Sequence, residues 1–133
     1  MSQNVSQAMS VDSSGDASFT GIDISSLHAM TPEQVDALPY GVVGLGADGT
    51  AEVYSATESR LAGIPRSIVL GWQYFAETAQ CMNNFMVAQR FEDEAEIDDV
   101  IDYVLTLRMR PTPVRLRLLK SAAVDRRYLL IQR

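Results

Sequence analysis

Cys81 is the only cysteine in the 133 residues, so its thiol is the most distinctive reactive group of the chain. A lone cysteine serves as a small buried apolar residue, a nucleophile, a metal ligand or a point of covalent attachment. A zinc site needs three or four Cys, His or carboxylate ligands close together, and the only histidine, His28, lies far upstream. A thiol nucleophile needs a base, and no basic residue flanks Cys81. The residues alone favour a buried structural cysteine over a metal site or a thiol enzyme.

Tyr54 and Glu58 are a second pair whose residue types could do chemistry. Tyr54 ends a predicted strand, and Glu58 follows four residues later, at the start of a predicted helix. If that helix packs on the sheet, both side chains point into one cavity. Taken singly, Tyr54 is more typical of a core aromatic with its hydroxyl at the edge, and Glu58 of a capping-box carboxylate in water, than either is of a functional group.

The composition is that of one soluble globular domain, with 47% hydrophobic and 21% charged residues. No apolar run approaches the roughly 20 residues that cross a bilayer, so no membrane association is expected. The N-terminal residues lack a basic and an apolar signal region, and with one cysteine this predicts a cytoplasmic protein. The net charge of −6 disfavours nucleic acid as a partner.

The charges are distributed unevenly along the chain. Residues 108–133 hold eight of the eleven Lys and Arg residues but only one of the seventeen acidic residues. Within this segment, Arg115 and Arg117 alternate with apolar residues, as a half-buried strand requires. We therefore interpret the basic residues as a solvent-facing side of a sheet that complements the acidic residues 92–102, rather than as a binding patch.

The N-terminal third contains a lead-in, a short helix and a hairpin. Residues 1–21 are polar and lack periodicity, which predicts disorder. Next, Thr31 with Pro32 and Gln34 predicts a capping box and a short helix that Pro39 stops. The following residues, 41–54, alternate around an Asp-Gly turn and predict a β-hairpin.

The rest of the chain predicts short helices followed by strands. Ser55 as N-cap and Gly63 as C-cap predict one helix, and the apolar spacing over residues 83–91 predicts another. The final third alternates as three strands, beginning with residues 102–109. The order of elements predicts an α+β domain with a five-stranded antiparallel sheet and helices on one face.

Three segments, PYGVVGLGADGTAEVYSATESRLAG, LGWQYFAETAQC and RMRPTPV, together resemble the photoactive yellow protein family. In that family the hairpin ends in Tyr, a Glu follows four residues later, and a single Cys follows that Glu by 23 residues. Tyr54, Glu58 and Cys81 have this spacing, and Met109 precedes Arg-Pro-Thr-Pro where the family has Met-Thr-Pro-Thr. The resemblance runs from about residue 24 to residue 133, with about three residues missing near 92–99.

The resemblance implies a PAS-like fold, a five-stranded antiparallel sheet flanked by helices. Residues 22–133 are then one photosensor domain, with an N-terminal cap at 22–39 and a PAS core at 40–133. It implies a blue-light photoreceptor, not an enzyme, with p-coumaric acid (4-hydroxycinnamic acid) joined to Cys81 as a thioester. Tyr54 and Glu58 would donate hydrogen bonds to its phenolate.

The resemblance also implies a photocycle. After photoisomerisation, a buried protonated Glu58 would pass its proton to the phenolate. The stranded carboxylate would partly loosen the fold, and the dark state would return reversibly.

Four pocket positions are variants of the family pattern. Ala62 replaces a threonine whose hydroxyl supports the tyrosine, and Ile64 replaces an arginine that covers the chromophore. Leu107 replaces an aromatic residue that faces the pocket, and Met109 lies two residues after it in the sequence. The losses at Ala62 and Ile64 remove polar support, so we expect a higher chromophore pKa.

The partner expected from the resemblance is a downstream signalling protein or a C-terminal output domain, such as a phytochrome or histidine kinase. The domain itself is expected to be a monomer or a weak dimer. The alternative is a chromophore-free PAS-like interaction module in which Cys81 is structural.

Overall fold

The computed structural model describes residues 16–133, so most of the predicted disordered lead-in, residues 1–15, lies outside the described part. The remainder of that lead-in, residues 16–21, is folded. Phe19 is 4% exposed and packs edge-on against Tyr40, with the ring centroids 5.6 Å apart. The prediction of disorder is wrong here, because burial of one aromatic side chain offsets the entropy of ordering a short polar turn.

Five antiparallel strands form one sheet, which confirms the predicted fold class. The strands are β1 (Gly41–Leu45), β2 (Ala51–Tyr54), β3 (Ile97–Leu105), β4 (Thr112–Ser121) and β5 (Val124–Gln132). They lie in the order β2-β1-β5-β4-β3, so the last strand of the chain is the central one. Its neighbours are the first strand on one side and the fourth on the other.

The predicted hairpin over residues 41–54 is confirmed as β1 and β2, with Val43 paired to Tyr54. Gly49 in its turn has φ +87°, a left-handed conformation that glycine adopts without a steric penalty. The register shifts between Gly44 and Leu45. The shift is a bulge-like irregularity at the end of the hairpin.

Two short helices precede the sheet, α1 (Ile24–Ala29) and α2 (Pro32–Asp36). Both halves of the predicted capping box are present at α2, because Thr31 Oγ1 accepts from Gln34 N and the Gln34 side chain accepts from Thr31 N. The first helix contacts β4 and β5. We call the sheet face that residues 16–38 cover the cap face.

The opposite face, which we call the main face, carries the remaining helices. They are α3 (Ala56–Ala62), α4 (Ala88–Asp93) and three single turns at Arg66–Ile68, Tyr74–Thr78 and Gln80–Met82. The prediction that helices cover only one face of the sheet is therefore wrong. Neighbours in a strand such as Leu129 and Leu130 are both fully buried and belong to different cores, so each face of the sheet has apolar side chains to cover.

Two predicted boundaries in the second half of the chain are wrong. The helix predicted over residues 83–91 is α4, which begins only at Ala88, after the side chain of Asn84 accepts from the backbone of Met86 and Val87. These local hydrogen bonds compete with a helical start. The strand predicted at 102–109 begins at Ile97, because its acidic residues face outward from a paired edge strand rather than forming a turn.

Arg117 also differs from its predicted place in solvent. Its side chain is 4% exposed beneath the cap and pairs with Asp98 through Nε–Oδ1 and Nη2–Oδ2 distances of 3.0 and 3.1 Å. The predicted complement between basic and acidic segments is present in this pair. The Arg117 side chain is buried because residues 16–38 cover the sheet face that was predicted to be exposed to solvent.

None of the helices in residues 16–133 is long and apolar enough to cross a membrane.

Candidate functional site

The junction of β2 and α3 positions Tyr54 and Glu58. Ser55 is the N-cap of α3, and its Oγ accepts hydrogen bonds from the backbone N–H groups of Glu58 (3.1 Å) and Val42 (3.0 Å). The two bonds tie the first turn of the helix to strand β1. Gly63 ends the helix with φ +71°, as predicted.

Glu58 does not complete the predicted capping box. Its carboxylate is fully buried and accepts two hydrogen bonds from Arg133, Nη1 to Oε1 at 2.7 Å and Nη2 to Oε2 at 3.2 Å. Gly41 allows this arrangement, because a Cβ at that position would overlap Glu58 Oε1. The side chain turns inward because a guanidinium, rather than the backbone at Ser55, is its partner.

Burial raises the pKa of Glu58, and the hydrogen bonds and charge of Arg133 lower it in part. The Arg133 side chain is 17% exposed and Glu58 is 0% exposed, so the pair is largely desolvated. A pair of this kind holds the ionised carboxylate only while the guanidinium stays in place. Glu58 is therefore a buried acid with one compensating cation.

Two buried tyrosines lie beside this acid. Burial raises the pKa of the Tyr54 hydroxyl, and the nearby charge of Glu58 raises it further. Tyr74 is 1% exposed, and its pKa is raised well above the usual value by burial and then by Glu58, Tyr54 and Cys81. Tyr54 and Tyr74 belong to the buried core of the main face, and Cys81 packs against the same core.

Cys81 lies in the turn Gln80–Met82 and is partly buried against the core of the main face. Its carbonyl oxygen accepts hydrogen bonds from Tyr103 Oη at 2.6 Å and from Asn84 Nδ2 at 3.2 Å. Asn84 Nδ2 also donates to Tyr103 Oη at 2.7 Å. Strand β3 thus holds the backbone on which the thiol is carried.

A cavity of about 470 Å³ opens beside the buried acid, within the range of roughly 300–1,000 Å³ that ligand pockets have. Its lining consists of Leu61, Ala62, Gly63, Leu105, Leu107, Arg108, Arg110, Thr112 and Arg133. The predicted pocket residues Ala62 and Leu107 lie in this lining, whereas Tyr54, Glu58 and Cys81 do not. Arg133 connects the two regions, since it both lines the cavity and binds the buried carboxylate.

The other two predicted pocket variants lie elsewhere. Ile64 packs against the core of the main face, and its carbonyl accepts from Ser59 Oγ at 2.8 Å. Met109 is 95% exposed, with φ +62° in the turn after β3. The prediction that Met109 belongs to the pocket is wrong in this structure, because the left-handed turn directs it to solvent.

The sequence prediction missed Arg133 and Tyr74. A signal for Arg133 was present: it is two residues beyond Ile131 and four beyond Leu129, so strand periodicity directs all three to the main face. Tyr74 had no comparable signal, because it lies in a single π-helical turn outside any periodic segment.

Within the described residues, no three His, Cys, Asp or Glu side chains are grouped as they would be to hold a metal ion. His28 Nδ1 lies 2.9 Å from Tyr128 Oη on the cap face. Cys81 lies on the main face, so the sheet separates the thiol from the histidine.

No family model matches the chain. A photoactive yellow protein of Rhodothalassium salexigens is 26% identical over 107 residues, covering 78% of this chain and 86% of the relative. The solved photoactive yellow protein domain of the sensor histidine kinase Ppr from Rhodospirillum centenum has a TM-score of 0.74 and 29% identity, covering 82% of this chain and 98% of that domain.

A PAS domain of an HTR-like protein from Haloarcula marismortui, at 18% identity and a TM-score of 0.61, shares the fold over 83% of this chain and 98% of its own. The predicted PAS-like fold is confirmed. In both sequence and fold, the chain is similar to proteins of the photoactive yellow protein family.

Proposed function

We propose that this chain is a blue-light photoreceptor domain in which Cys81 carries a p-coumaroyl group as a thioester. The observation that carries the proposal is one core on the main face that contains two buried tyrosines, Tyr54 and Tyr74, and packs against the thiol-bearing Cys81, together with the fully buried acid Glu58. Glu58, Tyr54 and Cys81 each raise the pKa of Tyr74. Similarity to a photoactive yellow protein domain supports the same function.

The donor set fits an aromatic group that carries a phenolate. Cys81 Sγ supplies the attachment point at the edge of the core. Tyr54 supplies a hydroxyl donor, and Glu58 supplies a second donor when its carboxyl is protonated. When bound, the p-coumaroyl group supplies a conjugated phenolate that absorbs blue light and isomerises about its double bond.

Proton storage is the role of Glu58. Burial raises the pKa of Glu58, which favours the neutral carboxyl when Arg133 does not compensate its charge. The protonated carboxyl donates at Oε to the phenolate, and after illumination it gives up that proton. The resulting carboxylate changes the charge inside the core, which costs free energy unless a cation compensates it.

The differences from the family pattern at Ala62 and Ile64 change the pKa that a phenol has in this site. Ala62 is 8% exposed and has no hydroxyl to support Tyr54, and Ile64 packs as an apolar core residue. Fewer donors stabilise the anion, which raises the pKa of a phenol in this site. Part of the chromophore therefore exists as the neutral, shorter-wavelength form at neutral pH.

The output of the domain is a change passed to a signalling partner or to an attached output domain. The Ppr neighbour is a domain of a sensor histidine kinase. By analogy, a histidine kinase or phytochrome-linked kinase is the proposed class of output, with the domain itself a monomer or weak dimer in the cytoplasm.

The test is reconstitution with activated p-coumaric acid, followed by a visible spectrum before and after a blue flash. We expect a band that bleaches and returns in the dark, and no band in the matched variant Cys81→Ala. A folded wild-type protein with a reactive thiol and no visible band would refute the proposal. The remaining interpretation would then be a chromophore-free PAS-like interaction module.

A further inference from the structure

The pairing of Glu58 with Arg133 conflicts with the donor role of Glu58. Both carboxylate oxygens accept from the guanidinium fork, which is the geometry of an ionised carboxyl. A donor to a phenolate must instead be protonated. The two roles cannot be filled at the same time, so one partner has to replace the other.

Arg133 is placed so that it can leave. It follows the last residue of β5, and within residues 16–133 its side chain hydrogen-bonds to Glu58 alone. The same side chain lines the 470 Å³ cavity, where Arg108 and Arg110 are the other charged residues. A long arginine side chain can move into this space without unfolding the sheet, and its head is hydrated there.

We propose that Arg133 and the chromophore are alternating partners of Glu58, an inference that rests on the proposed function. Without the chromophore, Arg133 holds Glu58 as a carboxylate. When the chromophore is attached, Glu58 takes the phenolic proton, becomes a neutral donor and releases Arg133 into the cavity. On illumination Glu58 returns the proton to the phenolate oxygen, and Arg133 binds the carboxylate again. One proton moves in each direction, and the total charge of the site is unchanged.

Arg133 is thus a positioning residue that compensates the charge left on Glu58 after illumination. Arg133 offsets part of the free-energy cost of the buried carboxylate in the illuminated form. Movement of Arg133 also acts directly on the end of β5. That strand is central in the sheet and pairs with β1 and β4, so the switch reaches the middle of the domain.

The experiment compares wild type with Arg133→Gln and with the control Arg110→Gln. Both substitutions remove one positive charge from the same cavity, but only Arg133 contacts Glu58. The first readout is the infrared band of a protonated carboxyl in the chromophore-free protein at neutral pH, assigned by its loss in Glu58→Gln. The second is the same band, with the dark-recovery rate, in protein loaded with p-coumaric acid.

In the chromophore-free protein we expect no Glu58 carboxyl band in wild type or Arg110→Gln, and a band in Arg133→Gln. On loading, the wild type should gain the band in the dark and lose it on illumination. Arg133→Gln should recover at least about tenfold faster, because its illuminated form lacks the compensating cation. Arg110→Gln should stay within about twofold of wild type.

Three results would count against the exchange. Absence of the carboxyl band in chromophore-free Arg133→Gln, or recovery of loaded Arg133→Gln within about twofold of wild type, would overturn it while leaving the photoreceptor function intact. A loaded wild type that bleaches and recovers but never gains the band in the dark would overturn both the exchange and the proton-storage role of Glu58, and would leave only light sensing by a Cys81-linked group. A wild type that acquires no colour would overturn the proposed function and the exchange with it.

Discussion

Among residues 16–133, each face of the sheet buries one charged side chain, and the two faces satisfy it in different ways. On the main face, Glu58 is 0% exposed and its partner Arg133 is 17% exposed. On the cap face, Arg117 is 4% exposed and its partner Asp98 is 65% exposed. The main face buries the acid and the cap face buries the base.

The difference lies in what happens if the ionic partner leaves. Arg117 also donates from Nη1 to the carbonyl oxygens of Phe19, at 3.0 Å, and Ile22, at 2.5 Å. Those carbonyls do not titrate, so the arginine remains satisfied without Asp98. Glu58 has Arg133 as its only side-chain partner among the hydrogen bonds of the described residues. The cap face therefore holds a permanent clamp, an arginine that stays hydrogen-bonded to backbone carbonyls without its ionic partner. The main face instead holds a buried acid whose partner can be exchanged.

The largest expected effect is that of Arg133→Gln in the chromophore-free protein. Without Arg133 the buried Glu58 carboxylate has no compensating cation, which should lower the free energy of unfolding by about 3–5 kcal/mol at alkaline pH. Glu58 has a raised folded-state pKa, so its contribution is fully present below the ordinary value of 4.5 and is lost as pH rises through the raised value. Removing Arg133 raises that pKa further, and the loss should therefore grow with pH.

Urea unfolding across a pH series measures this effect. The double variant Glu58→Gln/Arg133→Gln is the control, because it has no carboxyl left to strand. If the single variant loses the same free energy at pH 4 as at pH 9, the two charges are not coupled.

The next effect is that of Arg117→Ala on the cap face. It leaves the carbonyls of Phe19 and Ile22 without their donor, which should cost about 2–3 kcal/mol. Hydrogen exchange should accelerate first at the amides of residues 22–30. Asp98→Asn is the matched control and should cost under about 1 kcal/mol, since Asp98 is mostly exposed. Equal losses in the two variants would show that the clamp is the ion pair rather than the carbonyl bonds.

Two tyrosine hydroxyls allow a finer comparison of the faces. Tyr103 donates to the carbonyl of Cys81 at 2.6 Å, and Tyr40 donates to the carbonyl of Ala17 at 2.8 Å. Tyr103→Phe and Tyr40→Phe should each cost about 1 kcal/mol. Tyr103→Phe should speed hydrogen exchange only around Cys81, and Tyr40→Phe only around Ala17. Faster hydrogen exchange on both faces in either variant would show that the two faces do not respond independently to substitution.

The smallest effect concerns the pH dependence of the cap. Hydrogen bonds from Ser26 lower the pKa of Asp23, the N-cap of α1. A lowered pKa gives stability that is present above the ordinary value of 3.8 and is lost as pH falls through the folded value, opposite to Glu58. Asp23→Asn keeps the cap and should change stability by under about 0.5 kcal/mol at neutral pH, while flattening the acid limb of the stability curve. If the free energy of unfolding of Asp23→Asn falls at acid pH as steeply as that of the wild type, Asp23 does not contribute to the loss of stability in acid.

Sequence reasoning succeeded where near neighbours form a recognisable cap or turn motif. The capping box at Thr31 and Gln34, the hairpin around Gly49 and the C-cap at Gly63 each rest on contacts within a few residues. It failed at the start of α4, where Asn84 satisfies the backbone locally, and in the residues around Phe19, which are ordered by a distant tyrosine. In neither case does the spacing of apolar residues in the sequence reveal the contact that decides the structure.

The candidate site divides in the same way. Spacing and family resemblance named Tyr54, Glu58 and Cys81; the structure buries Glu58 and places Tyr54 and Cys81 in or against one core of the main face. They named Met109 as well, which a left-handed turn places in solvent.

The sequence by itself determined the local elements, the consecutive apolar residues such as Leu129 and Leu130 that supply both faces of the sheet, and the residue types available for chemistry. Only the tertiary structure decided which charges meet. Glu58 and Arg133 are far apart in the chain and join because β5 lies beside β1, next to the helix that carries the acid. Burial then decides what the pair can do, since desolvation turns an ordinary carboxyl into one that needs a cation or a proton.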